Sequence, residues 1–400
     1  MSIKFKDAVQ IISGGTPDTK TPSYWNGDIP WLSVVDFGSV NKYVSSTEKH
    51  ISEAGLNNSA TKMLKADDII ISARGTVGAM AMLEKSMAFN QSCFGLRAKP
   101  EVVDQEFLFY YLRFYMKNIT QKSQGSVFAT INLDTFDMID LNLPPLNVQK
   151  KIAKVLSDID AKIDNNNAIA AELEGMAKDL YDYWFVQFDF PDENGKPYKS
   201  SGGKMVWNDE LKREIPEGWE ATNIGAITIC HDSERIPVSG EKRKTMIGSI
   251  PYYGATEIMG HVNRAIFNGD YVLLAEDGSV MDDSGHPIIQ RISGPSWVNN
   301  HAHVLEPEKT YSCRLLMMIL KDIPVVQIKT GSIQWKINQE NLNKYKIANI
   351  PSALRALAVS KLEPIDSMLL DLKKENEELT SLRDFLLPML MNGQVKVKGA

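Results

Sequence analysis

The chain has few cysteines and no strong charge imbalance, and each absence excludes a class of protein. Its 400 residues include three cysteines, at positions 93, 230 and 313, none of them in a CxxC pair. A disulfide-stabilised scaffold and a cysteine-rich zinc module are therefore not expected. The formal net charge of −6 excludes a uniformly basic protein that coats nucleic acid, but it is compatible with a local basic patch.

The sequence also lacks segments that direct secretion or span a membrane. No apolar region follows Met1–Lys6, and the longest apolar runs, such as residues 315–320, fall well short of the ~20 residues needed to cross a bilayer. We therefore expect a cytoplasmic protein. A length of 400 residues suggests two or three domains.

Motifs for catalysis are missing as well. No glycine-rich loop has nucleotide-binding spacing, and Pro144-Pro145 lacks the amide and aromatic neighbours of an adenine methyltransferase loop. The carboxylates of residues 191–196 are crowded into one turn, which does not suit a metal-dependent nuclease. His301 and His303 would share one face of a strand, but no clear third ligand accompanies them, so structural roles are favoured. The sequence predicts no catalytic residue, metal or cofactor in this chain.

An internal repeat is the most informative feature of the sequence. Short stretches of the first half recur in the same order in the second half, one at an offset of 221 residues and the others at offsets of about 205 residues. The matching pairs are Ile29–Trp31 with Ile250–Tyr252, Asp68–Val77 with Asp270–Val280, Gln124–Ser126 with Thr330–Ser332, and Leu143–Pro145 with Ile350–Pro351. So long a period indicates a duplicated domain rather than a solenoid.

Each half is predicted to hold an α+β globule followed by a long helix. Apolar, β-branched runs predict buried strands at Ile69–Ser72 and Tyr271–Leu274, and Phe107–Lys117 and Cys313–Leu320 are predicted helices. Proline closes each globule, and a 4-3 apolar spacing then continues for four heptads or more, which is typical of helix-on-helix pairing.

The predicted boundaries follow from these patterns. They give a first globule at 1–146, a central helix at 147–188, a linker at 189–219, a second globule at 220–350 and a C-terminal helix at 351–392. Pro364 falls inside the last helix, where we expect a kink or a break between residues 360 and 364. The apolar seam of the two helices includes Ile152, Val155, Ile159, Leu173, Leu180, Leu362, Ile365, Leu369, Leu372, Leu379 and Leu386.

Two seams in one chain can pair with each other, and the alternative is that each packs on its own globule. Asn166 and Asn376 also lie on the seams. Buried asparagine at such positions fixes helix register at a cost in stability, whereas asparagine that faces solvent does neither.

Polar, glycine-containing loops are the candidates for recognition. Arginine and lysine suit guanine edges and phosphates, glutamine and asparagine suit adenine, and serine or threonine suits either. Each loop alone could be ordinary surface, but repetition at matched positions favours DNA binding. The candidate contacts are Lys20, Arg74, Thr76, Lys122, Gln124, Ser126, Thr130, Arg243, Lys244, Lys329, Ser332, Gln334 and Lys336.

Over nearly its whole length the sequence resembles the specificity subunits of Type I restriction–modification systems. The stretches that carry the resemblance are Tyr183–Pro191, Pro197–Val206, Ile215–Trp219, Leu386–Gly393, Leu143–Leu146 and Ile152–Asp160. The resemblance implies two target-recognition domains, each reading half of a split, asymmetric site in double-stranded DNA. It also implies that the two long helices pack antiparallel as a spacer, with the duplicated α+β domains related by a pseudo-two-fold axis.

The resemblance further implies partners and cofactors outside this chain. Two methyltransferase subunits, which carry S-adenosylmethionine, would dock on the helices, and motor–nuclease subunits would join them. Contact residues in that family vary with the target, so the candidate contacts rest on residue chemistry alone. Two alternatives stay open: a DNA-reading subunit of a methylation-only or Type II-like system, and a coiled-coil scaffold that binds no DNA.

Overall fold

A computed structural model describes residues 2–38, 42–122, 130–331 and 335–397, with residue 2 and residues 117–122 described by their backbone alone. The chain forms two compact units. The first unit comprises Met1–Ala168 and Lys374–Ala400, and the second comprises Ile169–Lys373. Each unit therefore contains one globule together with a portion of both long helices. In the described part of the chain, no helix has a stretch apolar and long enough to span a membrane.

The first globule contains two mixed sheets, with strand orders β2-β10-β7-β8-β4 and β5-β3-β9-β6, and an antiparallel β1–β11 pair. Its strands are β1 (Ser2–Lys4), β2 (Val9–Ser13), β3 (Trp25–Leu32), β4 (Tyr43–Val44), β5 (Lys49–Ile51), β6 (Met63–Leu64), β7 (Ile69–Ser72), β8 (Met80–Leu83), β9 (Met87–Phe89), β10 (Cys93–Ala98) and β11 (Asp140–Asn142). Its helices are α1 (Phe5–Ala8), α2 (Val34–Phe37), α3 (Glu53–Asn57), α4 (Gln105–Lys122) and α5 (Leu133–Asp137), and the long helix α6 (Leu146–Tyr181) follows.

The second globule is built around one six-stranded sheet of order β15-β20-β18-β19-β16-β17. The strands after α6 are β12 (Met205–Asn208), β13 (Arg213–Pro216), β14 (Glu220–Asn223), β15 (Thr228–Cys230), β16 (Ile250–Tyr253), β17 (Ile258–Val262), β18 (Phe267–Ala275), β19 (Ile289–Val298), β20 (Ala302–Pro307), β21 (Lys329–Thr330), β22 (Lys336–Ile337) and β23 (Lys346–Asn349). The helices are α7 (Ile224–Ile227), α8 (Gly240–Thr245), α9 (Cys313–Lys321), α10 (Val325–Ile328), α11 (Gln339–Lys344) and α12 (Ser352–Met391).

The two globules repeat one topology, which confirms the predicted duplication and the α+β class. Strand β10 lies between β2 and β7 in the first globule, as β20 lies between β15 and β18 in the second. The pairs β3–β9 and β16–β19 are both parallel. In each globule an antiparallel pair, β1–β11 or β14–β23, joins the beginning of the globule to its end.

The predicted local elements are also present. Strand β7 covers Ile69–Ser72, and β18 includes the predicted run at 271–274. Helix α9 matches its prediction to within one residue. Helix α4 continues five residues beyond the predicted end at Lys117, so Lys122 lies at a helix terminus rather than in a loop.

The break expected near Pro364 is wrong, because α12 is one uninterrupted helix through this position. Proline removes one backbone donor, but the helix is held firmly on both sides of it. Leu362 is fully buried, and the Asp366 carboxylate accepts hydrogen bonds from Arg291 and Arg314, both at 3.0 Å. A kink without a break stays a prediction.

The residues predicted as a linker are folded into the second unit. Helix α6 continues into a π-helical turn, Asp182–Val186, after which Phe190 stacks on Tyr198 and Trp219 with ring centroids 4.8 and 5.4 Å apart. Strands β12 and β13 form a hairpin in the same segment. The connector adds aromatic side chains to the core of the second globule and forms no third core.

Within the first unit the two long helices run antiparallel. Asp160 of α6 accepts a hydrogen bond from Arg383 of α12 at 2.6 Å, and Asn166 donates to Asn376 at 2.9 Å. In these contacts the residue number increases along α6 as it decreases along α12, so the two helices point in opposite directions. Asn166 is fully buried and also donates to Glu375 at 2.7 Å. The asparagines predicted on the seams therefore meet each other.

The seam residues predicted from the sequence are all buried or half-buried. Those nearest a globule also join its core. Ile152, Val155 and Leu386 pack in the core of the first unit, and Leu180, Leu362 and Ile365 pack in the core of the second. Packing between helices and packing on the globules are therefore combined rather than alternative.

Candidate nucleic-acid interface

The predicted loops of the first globule leave its five-stranded sheet at one end. Because β2, β10, β7 and β8 are successively antiparallel, β2 and β7 end where β8 and β10 begin. The connections at 14–24 and 73–79 start from this end. They carry the predicted residues Lys20, Arg74 and Thr76, whose side chains are all exposed.

The turn between β7 and β8 is fixed by backbone contacts. Gly75 and Gly78 have φ values of +77° and +84°, a region in which side chains with a Cβ are strained. The Ser72 hydroxyl donates to the carbonyl of Arg74 at 2.7 Å. The side chains of Arg74 and Thr76 are therefore presented to solvent by a defined turn.

A second segment reaches the same turn. The backbone N–H of Ile131 donates to the carbonyl of Ala73 at 2.9 Å, which places Thr130 beside the turn that carries Arg74. Thr130 is exposed. Lys122 ends α4, but its side chain lies outside the described residues, as do Gln124 and Ser126.

The second globule repeats this contact. Ile337 donates its backbone N–H to the carbonyl of Glu276 at 2.9 Å, at positions 206 and 203 residues beyond Ile131 and Ala73. Gly278, which follows, has φ +78° and corresponds to Gly75. The duplicated fold therefore brings the end of one strand and a returning segment together in both globules.

The returning segment of the second globule is the β21–β22 hairpin, in which Lys329 pairs with Ile337 and Thr330 with Lys336. The Lys329 ammonium lies 3.4 Å from the centroid of the Trp335 ring. Lys336 is exposed, and its ammonium lies 3.4 Å from the Asp277 carboxylate. Ser332 and Gln334, also predicted here, lie outside the described residues.

Arg243 and Lys244 lie on a different element, helix α8. The Arg243 guanidinium stacks over Tyr252 at 4.9 Å, while the Arg264 guanidinium stacks over Trp297 at 5.3 Å. The two aromatic rings are 6.3 Å apart. Sequence reasoning missed Arg264, because no motif surrounds it and only the packing of Trp297 against Tyr252 relates it to Arg243.

The electrostatics of these cations suit exchange with phosphate. Among the described residues, neither Arg243 nor Arg264 takes part in an ion pair. Lys244 pairs with Glu241 and Lys336 with Asp277, and in both pairs the lysine is more than half exposed. Because Lys244 and Glu241 are both largely exposed, their pair contributes about 0–1 kcal/mol, and a phosphate can replace the carboxylate at little cost.

One group of metal-ligand residues stands out in the described part of the second globule. One ligand atom each from Cys230, Asp232 and His303 lies within 4.8 Å of the others. His301 does not join it, since its ring pairs with Asp277 at 2.6 Å. Burial lowers the pKa of His303, but the hydrogen bonds to Asp232, Cys230 and Ile337, together with the charge of Asp232, outweigh burial and raise that pKa to about 10. The carboxylates thus favour positive charge at this point.

Comparison with known proteins agrees with this architecture. A family model described as the type I restriction modification DNA specificity domain matches residues 1–175 and 216–380. The type I restriction enzyme MjaIX specificity subunit of Methanocaldococcus jannaschii is 28% identical, over 99% of this chain and 93% of that protein. The EcoprrI specificity subunit of Escherichia coli is 24% identical, over 88% of this chain and 79% of that protein.

A solved structure shares the fold. The type I restriction–modification S subunit from M. genitalium superposes with a TM-score of 0.57 at 19% identity, covering 98% of this chain and 95% of that one. The family model matches both halves of the sequence, and the shared fold agrees with that match. The chain belongs to the family of type I restriction–modification specificity subunits, which are the non-catalytic recognition subunits of those systems.

Proposed function

We propose that this chain reads a bipartite, asymmetric site in double-stranded DNA, with each globule recognising one half. The observation that carries the proposal is the repeated contact between a strand end and a returning segment, Ile131 with Ala73 and Ile337 with Glu276. Around it lie residues of the types that address phosphates and base edges. Because the two globules differ in sequence at these loops, we expect the half-sites to differ.

In the first globule the proposed DNA contacts are Lys20, Arg74, Thr76 and Thr130, on loops that begin at one end of a rigid sheet. Lys122, Gln124 and Ser126 are proposed from sequence alone. Arg74 has the chemistry for bidentate recognition of guanine, and Lys20 has that for a phosphate. A rigid sheet beneath such loops limits the ordering entropy that binding would cost.

In the second globule two cationic groups are proposed to contact DNA. One is the β21–β22 hairpin with Lys329 and Lys336, to which Ser332 and Gln334 are added from sequence. The other consists of Arg243, which stacks on Tyr252, and Arg264, which stacks on Trp297, together with Lys244, which follows Arg243 in the sequence. Stacking on Tyr252 and Trp297 orients the guanidinium groups before DNA arrives, which favours binding.

The long helices are proposed to set the gap between the half-sites and to dock two methyltransferase subunits that carry S-adenosylmethionine. Helix α6 has 36 residues, which corresponds to about 54 Å at ~1.5 Å per residue. Within the second unit, an apolar groove lined by Met176, Tyr183, Trp184 and Ile365 supports docking. Motor–nuclease subunits would join this complex in the cytoplasm.

The proposal is tested by co-expressing the chain with its neighbouring methyltransferase subunit in a host with unmodified DNA. Methylated adenines are then mapped across the genome, with the methyltransferase alone as the control. We expect a split motif, two short defined blocks around a fixed gap, that depends on this chain. Absence of new methylation by a soluble, assembled complex would contradict the proposal and favour a scaffold that binds no DNA.

A further inference from the structure

We propose that Cys230, Asp232 and His303, with Glu276, form a zinc site in the second globule. This inference does not depend on the proposed DNA-reading function. It rests on three chain segments that are far apart in the sequence but meet in the fold. Cys230 and Asp232 lie some 70 residues before His303 in the sequence, and Glu276 lies between Asp232 and His303.

Rigid secondary structure positions the three central side chains. Cys230 ends β15 opposite Leu305 of β20. His303 lies two residues before Leu305 and therefore shares its face of the sheet with Cys230. Asp232 follows β15, and its Oδ1 accepts the backbone N–H of Val304 at 3.0 Å. The thiol, the carboxylate and the imidazole thus all meet beside one strand.

The ligand atoms form a set that zinc accepts. The three lie within 4.8 Å of one another, and Glu276 Oε2 lies 3.9 Å from His303 Nδ1. Thiolate sulfur, imidazole nitrogen and carboxylate oxygen are all established zinc ligands, and four are needed for a tetrahedral site. The Asp232–His303 contact is 2.5 Å. It would open to the roughly 3.3 Å that separates two such ligands in a tetrahedron, as the ion replaces the shared proton.

The surroundings of His303 match those of a metal ligand. Its Nε2 lies 2.8 Å from the carbonyl of Ile337, so this nitrogen carries a proton and Nδ1 is left to bind the ion. Ligating histidines almost always donate their other N–H to such an oxygen, which fixes the ring orientation. Arg235 donates to Glu276 at 2.7 Å and so steadies the fourth ligand.

Zn²⁺ binds a cysteine as the thiolate and a histidine as the neutral imidazole, so binding to Cys230 and His303 would release protons. His303 is 2% exposed, whereas Cys230 and Asp232 are only partly buried. The ion therefore has access from the side of those two residues.

Such a site would tie the β21–β22 hairpin to the sheet. Ile337, the hydrogen-bond acceptor of His303, is the last residue of that hairpin, and its own N–H donates to Glu276. The His303 imidazole and the backbone carbonyl of Glu276 thus both form hydrogen bonds with the backbone of Ile337. Metal binding would stabilise the globule and restrict the segment that carries Lys329 and Lys336.

The test uses the purified, full-length chain after treatment with a chelator. Zn²⁺ alone is added and removed by dialysis, and bound metal is counted by elemental analysis. Co²⁺ alone is the second probe, because a thiolate ligand gives it a charge-transfer absorption band. We expect one equivalent of retained Zn²⁺, a thiolate–cobalt band and a raised unfolding temperature.

The variants Cys230→Ser and His303→Gln identify the ligands. Each should lose retained zinc and weaken Co²⁺ binding by about tenfold or more, and Cys230→Ser should abolish the band. The matched controls Cys93→Ser and His301→Gln should behave as the native chain does. No retained metal and no band in the native chain, or an unchanged band in Cys230→Ser, would overturn the proposal. The Co²⁺ absorption spectrum of the native chain decides the question by itself, so the experiment stays conclusive even if a variant fails to fold.

Discussion

At the scale of single residues, one buried carboxylate anchors each long helix. Asp160 in α6 and Asp366 in α12 are 206 residues apart and therefore occupy equivalent positions of the repeat. Asp160 accepts hydrogen bonds from Tyr110 and Arg383, each at 2.6 Å. Tyr110 of α4 and Arg314 of α9, the partner of Asp366, come from corresponding helices of the two globules. Both halves of the fold thus have a buried aspartate at this position of the long helix, but different residues donate hydrogen bonds to it.

Replacing Asp160 by alanine tests the anchor. Asp160 is fully buried, and its loss would leave the buried Arg383 guanidinium without this counter-charge, at a cost of about 3–5 kcal/mol. We expect a marked fall in the unfolding temperature, measured by calorimetry. The control is Asp158→Ala in the same helix, where an exposed pair with Lys154 is lost and the expected cost is about 0–1 kcal/mol. Equal effects of the two variants would contradict this account.

The stacked arginines carry the second prediction at this scale. The double variant Arg243→Ala, Arg264→Ala should weaken binding of the assembled complex to its duplex by about tenfold, and lower the salt-dependence slope by about 1 per lost phosphate contact. Fluorescence anisotropy at several salt concentrations measures both. Lys204→Ala is the control, since Lys204 is an exposed cation that pairs with Glu217. Unchanged affinity in the double variant would remove this pair from the interface.

At the scale of elements, the sequence predicted those structures whose causes are local. Runs of β-branched residues predicted β7 and the core of β18, and the 4-3 spacing predicted the long helices. Contacts between distant segments could not be read in the same way. The stacking of Arg264 on Trp297 and the convergence of Cys230 with His303 depend on strand pairing, which no local pattern reveals. At Pro364 local propensity predicts a kink or a break, and packing on either side keeps the helix unbroken.

The substitution Pro364→Ala follows from the uninterrupted course of α12. Alanine restores a backbone donor and removes the ring, and an interior proline costs about 3 kcal/mol relative to alanine. We therefore expect a higher unfolding temperature, by thermal denaturation followed with circular dichroism. Ser367→Ala, at an exposed position of the same helix, should change stability by less than about 0.5 kcal/mol. A lower unfolding temperature in Pro364→Ala would show that the helix is built around the proline.

At the scale of the whole molecule, the repeat was the most reliable signal in the sequence. Short matches in the same order, most of them at an offset near 205 residues, predicted a duplicated domain, and the strand pairing of the two globules confirms it. The recognition surface was less accessible to prediction. Residue chemistry suggested which loops to consider, but only the pairing of β21 with β22 shows that Lys329 and Lys336 share one hairpin.

The most direct test of the central claim is an exchange of one globule. Residues 220–350 are replaced by the corresponding segment of a relative with a different target, and methylated adenines are mapped after co-expression with the methyltransferase subunit. A reciprocal exchange of residues 1–146 is the matched control. If each globule reads one half-site, each exchange changes one block of the motif and leaves the other block as it was. A change of both blocks, or of neither, from an assembled and active complex would contradict this division of labour.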